Sequence, residues 1–302
     1  MNPTEIIEKI NKLKGSLNAV IVAHNYQRPE VQDIADFTGD SLELSRKCTE
    51  VDADVIVFAG VHFMAESACI LNPDRKVLLA EENAGCPMAD MITPDDLLEW
   101  KRRYPDAAVV CYINTSAAIK ALSDICCTSA NGVQVVRSLP QDEIIFVPDE
   151  NLGRFVSRST DKRMILYPGF CPTHVRVIPR HVDLARERYP GGVVLVHPEC
   201  TPDVIDKADA ALSTSQMIRY ARESEAMVFL IGTEGGLLHR LRLDNPGKEF
   251  HLLSEGLVCP DMKLTTLESV ARTMEEMRNQ VTVPEDVRLK AKLTLDRMLQ
   301  VT

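Results

Sequence analysis

The stretch Val20-Ile21-Val22-Ala23-His24-Asn25-Tyr26 reads as a short strand that runs into polar residues, and its strand recurs at Val109-Val110-Cys111-Tyr112 and Val193-Val194-Leu195-Val196. Each run is continuously apolar rather than alternating, which marks a strand covered on both faces. Helical apolar spacing precedes each one, over Glu5 to Lys14, Asp95 to Arg103 and Asp183 to Arg188. The last two segments close on Tyr-Pro, and a residue before proline is pushed out of the helical region. Second runs follow at Asp54 to Ala59, Glu143 to Val147 and Ala226 to Ile231, and third runs at Lys76 to Ala80, Arg163 to Tyr167 and Glu249 to Leu253. Strands alternating with helices predict right-handed crossovers and parallel sheets.

Aligning the first runs, at offsets of 89 and 84 residues, brings other features into register. Ser41, Ser129 and Ser213 fall 21, 20 and 20 residues after the anchors, and Cys86, Cys171 and Cys259 fall 66, 62 and 66 residues after them. Each of these cysteines is followed by proline (Pro87, Pro172, Pro260), and none of the other six is. A threefold internal repeat follows. The predicted fold is α/β: three homologous three-layer α/β/α units over 1–92, 93–178 and 179–263, with small parallel sheets about a pseudo-threefold axis and C-terminal helices over 264–302. Ligands gather beyond the carboxyl ends of parallel strands. Those edges carry His24-Asn25-Tyr26, Asn114, His197-Pro198-Glu199 and the three Cys-Pro pairs.

Composition narrows the function. The 302 residues carry 34 Lys+Arg against 44 Asp+Glu, a net charge of -10, which gives no footprint for nucleic-acid binding. No apolar run approaches the roughly 18 residues that would span a bilayer. The N-terminus, Met1-Asn2-Pro3-Thr4-Glu5, starts a charged amphipathic segment rather than an export signal, so the expected location is cytoplasmic, with no membrane contact. Nine cysteines, an odd number, point away from a disulfide framework and toward metal or catalytic chemistry.

Three thiolates around an axis suit zinc with a fourth ligand, or an iron-sulfur cluster that leaves one iron open. The following prolines and the absence of C-x2-C pairs favour the cluster. Three equivalent buried thiols without a metal are the alternative. The serines at 41, 129 and 213, the last followed by Thr214, each stand at the start of a helix-like segment. They act either as plain caps, with Asp40-x-x-Glu43 and Ser213-x-x-Gln216 as capping boxes, or as anion sites. His24 and His197 at matching strand ends, with Tyr26 and Glu199 two residues onward, form an acid-base set. His174, three residues after Cys171, stands either behind a metal ligand or against a substrate. Cys126-Cys127 reads as the start of a buried helix rather than a redox pair, and Gly232-Thr233-Glu234-Gly235-Gly236 as a turn rather than a phosphate loop.

These residues resemble the quinolinate synthases of NAD (pyridine nucleotide) biosynthesis, over essentially the whole chain. The segments that carry the resemblance are Ala23-His24-Asn25-Tyr26-Gln27, Pro29-Glu30-Val31-Gln32-Asp33, Gly39-Asp40-Ser41, Phe58-Ala59-Gly60-Val61, Cys86-Pro87-Met88-Ala89, Tyr112-Ile113-Asn114-Thr115-Ser116, Thr128-Ser129-Ala130-Asn131, Cys171-Pro172-Thr173-His174, His197-Pro198-Glu199-Cys200 and Met262-Lys263. The resemblance implies a condensing transferase that joins iminoaspartate (iminosuccinate) to dihydroxyacetone phosphate, giving quinolinate with loss of phosphate and water. It implies a [4Fe-4S] cluster held by Cys86, Cys171 and Cys259, whose open iron acts as a Lewis acid without net redox change. It further implies substrate contacts from His24, Ser41, Tyr112, Asn114, Ser129, His197, Glu199 and Thr214. Tyr26 and Glu199 are the residues chosen for proton transfer, with His24 and His174 as further catalytic candidates. At most a transient partnership is expected, with the enzyme that produces iminoaspartate.

Some members of that family carry a C-x-x-C-x-x-C near the third ligand; Cys259 stands alone in its region, so redox control by that motif is not expected. Two other classes share the residues. One is an open-cluster dehydratase of a small hydroxy acid, separated by its turnover, and the other a non-enzymatic iron-sulfur sensor, in which Glu199 would be dispensable. The compact C-x3-C-x2-C of radical chemistry is missing.

Overall fold

The computed structural model describes residues 1–301. Its strands form three four-stranded sheets in which every pairing is parallel. The first sheet contains β1 (Ala19–His24), β2 (Phe37–Gly39), β3 (Val55–Ala59) and β4 (Lys76–Leu79), in the order β2-β1-β3-β4. The second contains β5 (Ala108–Tyr112), β6 (Ile125–Cys127), β7 (Glu143–Val147) and β8 (Arg163–Leu166), in the order β6-β5-β7-β8. The third contains β9 (Val193–Val196), β10 (Ala210–Ala211), β11 (Val228–Gly232) and β12 (Glu249–Leu252), in the order β10-β9-β11-β12. The same topology three times over establishes three repeated α/β/α units.

The central strands behave as their composition demands. Every residue of β3 and β5 is buried, so both faces are covered by helices. Each unit opens with a helix that has proline in its first turn (Pro3–Leu17, Pro94–Arg103, Pro179–Arg188), a position where the missing N–H costs nothing. The second and third of these helices stop one residue short of Tyr-Pro, as the sequence requires.

The short strands β2, β6 and β10 are the elements that sequence reading does not find. They lie at the sheet edge beside the first strand, and an aspartate just before each fixes the pairing. Asp36, Asp124 and Asp209 accept the backbone N–H of Ile21 (2.8 Å), Val109 (2.7 Å) and Val194 (2.7 Å). Their own N–H groups donate to the carbonyls of the same three residues. Cys126-Cys127 belongs to β6, which corrects the expected helix start. Cys126 pairs in register with Cys111, with the two sulfurs 3.3 Å apart.

The C-terminal helices complete two of the units. Leu267–Glu276 presses Val270, Ala271 and Met274 into the apolar layer of the first unit, with Ile6 and Ile10 of the opening helix. Glu285–Gln300 covers β6, where Arg297 donates to the Asp124 carbonyl at 2.6 Å. Among the described residues, no helix is long and apolar enough to cross a membrane.

Candidate active site

The first strands deliver polar residues to a shared cavity. β1 stops at His24, and Tyr26 donates its backbone N–H to His24 Nδ1 at 3.1 Å. The third unit repeats the device just past β9, where Glu199 donates its N–H to His197 Nδ1 at 3.3 Å. An Nδ1 that accepts leaves the proton of a neutral imidazole on Nε2, so each ring offers the cavity an N–H. Burial, opposed by the charge of Glu199, pushes both imidazoles down to about 3, so both are neutral near pH 7.

That shift has a consequence for stability. The unfolded chain, with ordinary histidines near pKa 6.5, binds more protons than the folded one between about pH 6.5 and pH 3. Stability from these two groups is therefore complete above about pH 6.5 and declines as pH falls through that window. The urea midpoint of the ligand-free protein is expected to drop on acidification, and to drop less steeply in a His24→Gln, His197→Gln double variant. Identical slopes for the two proteins would contradict this account.

The last strand of each unit delivers a cysteine. Cys86, Cys171 and Cys259 follow β4, β8 and β12, and the proline after each leads into a 3-10 turn, at Ala89–Met91, His174–Arg176 and Asp261–Lys263. Burial pushes the Cys86 thiol up to about 12 and raises Cys171 and Cys259 as well. Against burial, backbone amides of these turns favour each thiolate: Ala89 and Met88 at Cys86, His174 at Cys171, Met262 and Asp261 at Cys259. The turn is thus a local reason for proline at this position. Gly169 brings the Cys171 loop against Pro148, where a Cβ would stand 2.4 Å from the Pro148 carbonyl oxygen.

The cavity, of about 270 Å³, takes residues from all three units. The first supplies His24, Tyr26, Ser41 and Cys86; the second Tyr112, Asn114, Ser129, Cys171 and His174; the third His197, Glu199, Thr214 and Cys259. Every site residue read from the sequence therefore lines one space, and three of the nine cysteines do so among the described residues. Ser41 and Thr214 are the first residues of helices Ser41–Glu50 and Thr214–Glu223, whose caps are Asp40 and Ser213, each with a full capping box. Ser129 differs from expectation. It precedes helix Gly132–Ser138 by a turn in which the Asn131 side chain accepts from the Thr128 N–H at 2.8 Å, and it caps nothing.

Glu199 is the polar centre. Tyr112 donates to its Oε1 at 2.6 Å, and His174 Nδ1 lies 2.7 Å from its Oε2. Burial works against its charge, but the neighbouring His197 and His174 and the bonds from His174 and Tyr112 hold the carboxyl well below the usual range. His174 also lies 3.1 Å from Cys171 Sγ and reaches Thr233 Oγ1 through Nε2 at 2.8 Å. Cys171, His174 and Glu199 have donor atoms within 4.8 Å of one another, a second conceivable metal-ligating group. Burial, with the charge of Glu199, raises the Tyr26 and Tyr112 phenols well above their usual range, so both remain protonated donors.

Three neighbours escaped the sequence reading. Asp149, two residues past β7, is fully buried; it caps Leu152 at 2.7 Å, and its Oδ2 has no partner among the described residues. Thr233 and Glu234, just past β11, are also fully buried. The one available signal was position, since all three follow the third strand of their unit within two residues.

A family model described as "Quinolinate synthetase A protein" matches residues 8–300. A quinolinate synthase of Alkaliphilus metalliredigens is 54% identical over 302 residues, covering all of both chains. One of Geotalea uraniireducens is 54% identical over 301 residues, covering all of this chain and 99% of its own, and one of Thermodesulfovibrio yellowstonii is 53% identical over 294, covering 97% of each. With a match over nearly the whole length and identity above half across three sheets of one topology, the chain belongs to the quinolinate synthetase A family.

Proposed function

We propose that this protein is a quinolinate synthase of NAD biosynthesis, condensing iminoaspartate with dihydroxyacetone phosphate to form quinolinate, phosphate and water. The observation that carries the reading is the convergence of three Cys-Pro turns, one per unit, on the cavity that also holds Tyr26, Tyr112 and Glu199. The donor set fits a [4Fe-4S] cluster. Cys86, Cys171 and Cys259 line one cavity, burial disfavours their thiolates until a cation binds, backbone amides already face the sulfurs, and no fourth cysteine lines the cavity among the described residues. When bound, the cluster supplies Lewis acidity at the iron left without a protein ligand.

The chain's own residues do the rest. His24 and His197 present Nε2–H donors to the carboxylates of iminoaspartate. Ser41 and Thr214 add hydroxyls at the first positions of two helices, whose dipoles favour anions. Ser129 and Asn114 close the remaining side; the Asn114 Oδ1 is buried with no protein partner, as expected of an atom that meets a substrate. Glu199, an ionised carboxylate, receives protons during condensation, and Tyr26 and Tyr112 deliver them; His174 orients Glu199. Among the described residues, Arg176 is the one Arg or Lys that lines the cavity, at its exposed rim, and it meets the phosphate of the triose. Arg176→Ala is expected to raise KM for dihydroxyacetone phosphate by roughly tenfold with iron content unchanged, about 1.4 kcal/mol of lost binding. An unaltered KM would move the phosphate elsewhere.

The reaction is expected in the cytoplasm, with iminoaspartate handed over by a transiently associated enzyme. The deciding assay mixes anaerobically purified protein with enzymatically generated iminoaspartate and dihydroxyacetone phosphate and follows quinolinate. Formation that requires both substrates supports the reading. Absence of product from iron-loaded protein would overturn it and leave a hydroxy-acid dehydratase as the next assay.

A further inference from the structure

Aligned on the first strands, Asn25, Asn114 and Pro198 stand at equivalent places in the three units, and each is used differently. Asn114 lines the cavity, and Pro198 has no side-chain donor. Asn25 is buried and does not line the cavity. Its side chain approaches from outside and donates from Nδ2 to Thr214 Oγ1, on the third unit, at 3.0 Å. The backbone of Asn25 is held at both its polar groups: its N–H donates to the Gly39 carbonyl at 3.1 Å, and its carbonyl accepts from Gln32 Nε2 at 3.2 Å. Two further bonds run along the same seam, from Ser213 Oγ to Asp40 Oδ2 at 3.3 Å and from Ser215 to Glu43. The seam therefore ties the helix that begins at Ser41 to the helix that begins at Thr214.

We infer that Asn25 is a positioning residue that fixes the hydroxyl of Thr214 as a donor to a carboxylate in the cavity. The inference rests on the reading above, in which iminoaspartate binds there through its carboxylates, and it names what sets the polarity of one of those contacts. An amide N–H2 can only donate, so the bond from Asn25 occupies a lone pair of Oγ1 and leaves the hydroxyl proton to be placed elsewhere. A hydroxyl inside a helix ordinarily gives that proton to a carbonyl one turn back. Ser45 and Ser67 do so here, to the carbonyls of Ser41 and Phe63. Thr214 is the first residue of its helix and has no turn behind it, and among the described residues its proton has no acceptor. The direction left is the cavity that Thr214 lines, where a carboxylate, which only accepts, completes the bond. A rotor fixed in this way needs no reordering when the anion arrives. The neutrality of the amide matters as much as the bond, because an aspartate at position 25 would take the proton itself and set a negative charge behind the substrate's.

Asn25→Leu, Asn25→Asp, Thr214→Val and the double variant of Asn25→Leu with Thr214→Val, purified anaerobically beside wild type, test this. The readouts are kcat, both KM values, iron content and the Kd for succinate, a four-carbon dicarboxylate without the imine. Asn25→Leu keeps the approximate shape and frees the Thr214 rotor, so KM for iminoaspartate and Kd for succinate are expected to rise about fivefold. Asn25→Asp reverses the bond and is expected to raise both by about fiftyfold or more. In each, KM for dihydroxyacetone phosphate is expected to stay within about twofold of wild type, with iron retained. In the Thr214→Val background, Asn25→Leu is expected to change the succinate Kd by less than about twofold, since the group it acts through is gone. Unchanged KM and Kd in both Asn25 variants, a loss shared equally by the two substrates, or an Asn25→Leu effect of full size beside Thr214→Val would each overturn the inference. If Asn25→Leu fails to fold, Asn25→Ala takes its place in both backgrounds. Wild type that binds succinate but makes no quinolinate would instead overturn the functional reading, while the succinate arm still reports on Asn25. Wild type that neither binds succinate nor turns over iminoaspartate would overturn both.

Discussion

Cys86→Ala, Cys171→Ala and Cys259→Ala are each expected to lose the iron and acid-labile sulfide that wild type holds at about four per chain, whereas Cys200→Ala keeps both. The control is chosen from the same neighbourhood. Cys200 follows Glu199 directly, yet its sulfur is buried against the Gly232 carbonyl at 3.4 Å and does not line the cavity. Cys86, Cys171 and Cys259 are half-buried, but so is Cys69, which does not line the cavity; exposure to the shared cavity sets the three apart. A cluster held by three ligands has no spare donor, so each single loss is expected to be severe, and metal analysis with the visible absorbance of the anaerobic proteins checks it. The Cys171–His174–Glu199 group makes the opposing outcome specific. Metal that survives in Cys86→Ala and Cys259→Ala but leaves on His174→Ala would place a mononuclear ion at that group and remove the cluster from the mechanism.

The threefold pattern was legible because it is written in local chemistry. Buried parallel strands need continuous apolar runs, helices need stops before Tyr-Pro, and a cysteine that leads a 3-10 turn is well served by proline in the next place. The edge strands carried no such mark. Phe37–Gly39, Ile125–Cys127 and Ala210–Ala211 are too short for any period to emerge, and an aspartate bonding across the sheet sets their register. The same limit explains the site. His24, Tyr26, Glu199 and the cysteines stand where strands end, a place that sequence can locate. Thr233 and Glu234 stand there too, but their partners lie on a different unit or a separate loop, Tyr26 at more than 200 positions' remove. Nothing local distinguishes such a Gly-Thr-Glu-Gly-Gly from an ordinary turn until the units are packed together. Ser129 shows the reverse error: register with Ser41 and Ser213 placed it at a helix start, and the Asn131 side chain made a turn there instead.

Glu199→Gln is expected to lower kcat by about a hundredfold to ten-thousandfold, the usual range for a positioned acid-base group, with iron content unchanged. The geometry argues for so large an effect from an isosteric change. The two carboxylate oxygens have separate donors, Tyr112 at 2.6 Å on Oε1 and His174 at 2.7 Å on Oε2. A glutamine can accept on one side only, so its N–H2 must face a tyrosine hydroxyl or an imidazole that is itself a donor. Base function and the alignment of both neighbours are lost together. The pH dependence of kcat/KM gives an independent check. Glu199 is held below the ordinary carboxylate range, and His24 and His197 sit at about 3, so none of the three contributes an inflection near pH 6.5. Any inflection that wild type shows near pH 6.5 is therefore expected to persist in Glu199→Gln at a far lower rate. Turnover within a few-fold of wild type would remove Glu199 from proton transfer and shift that role to Tyr26 and Tyr112, the two phenols of the same cavity.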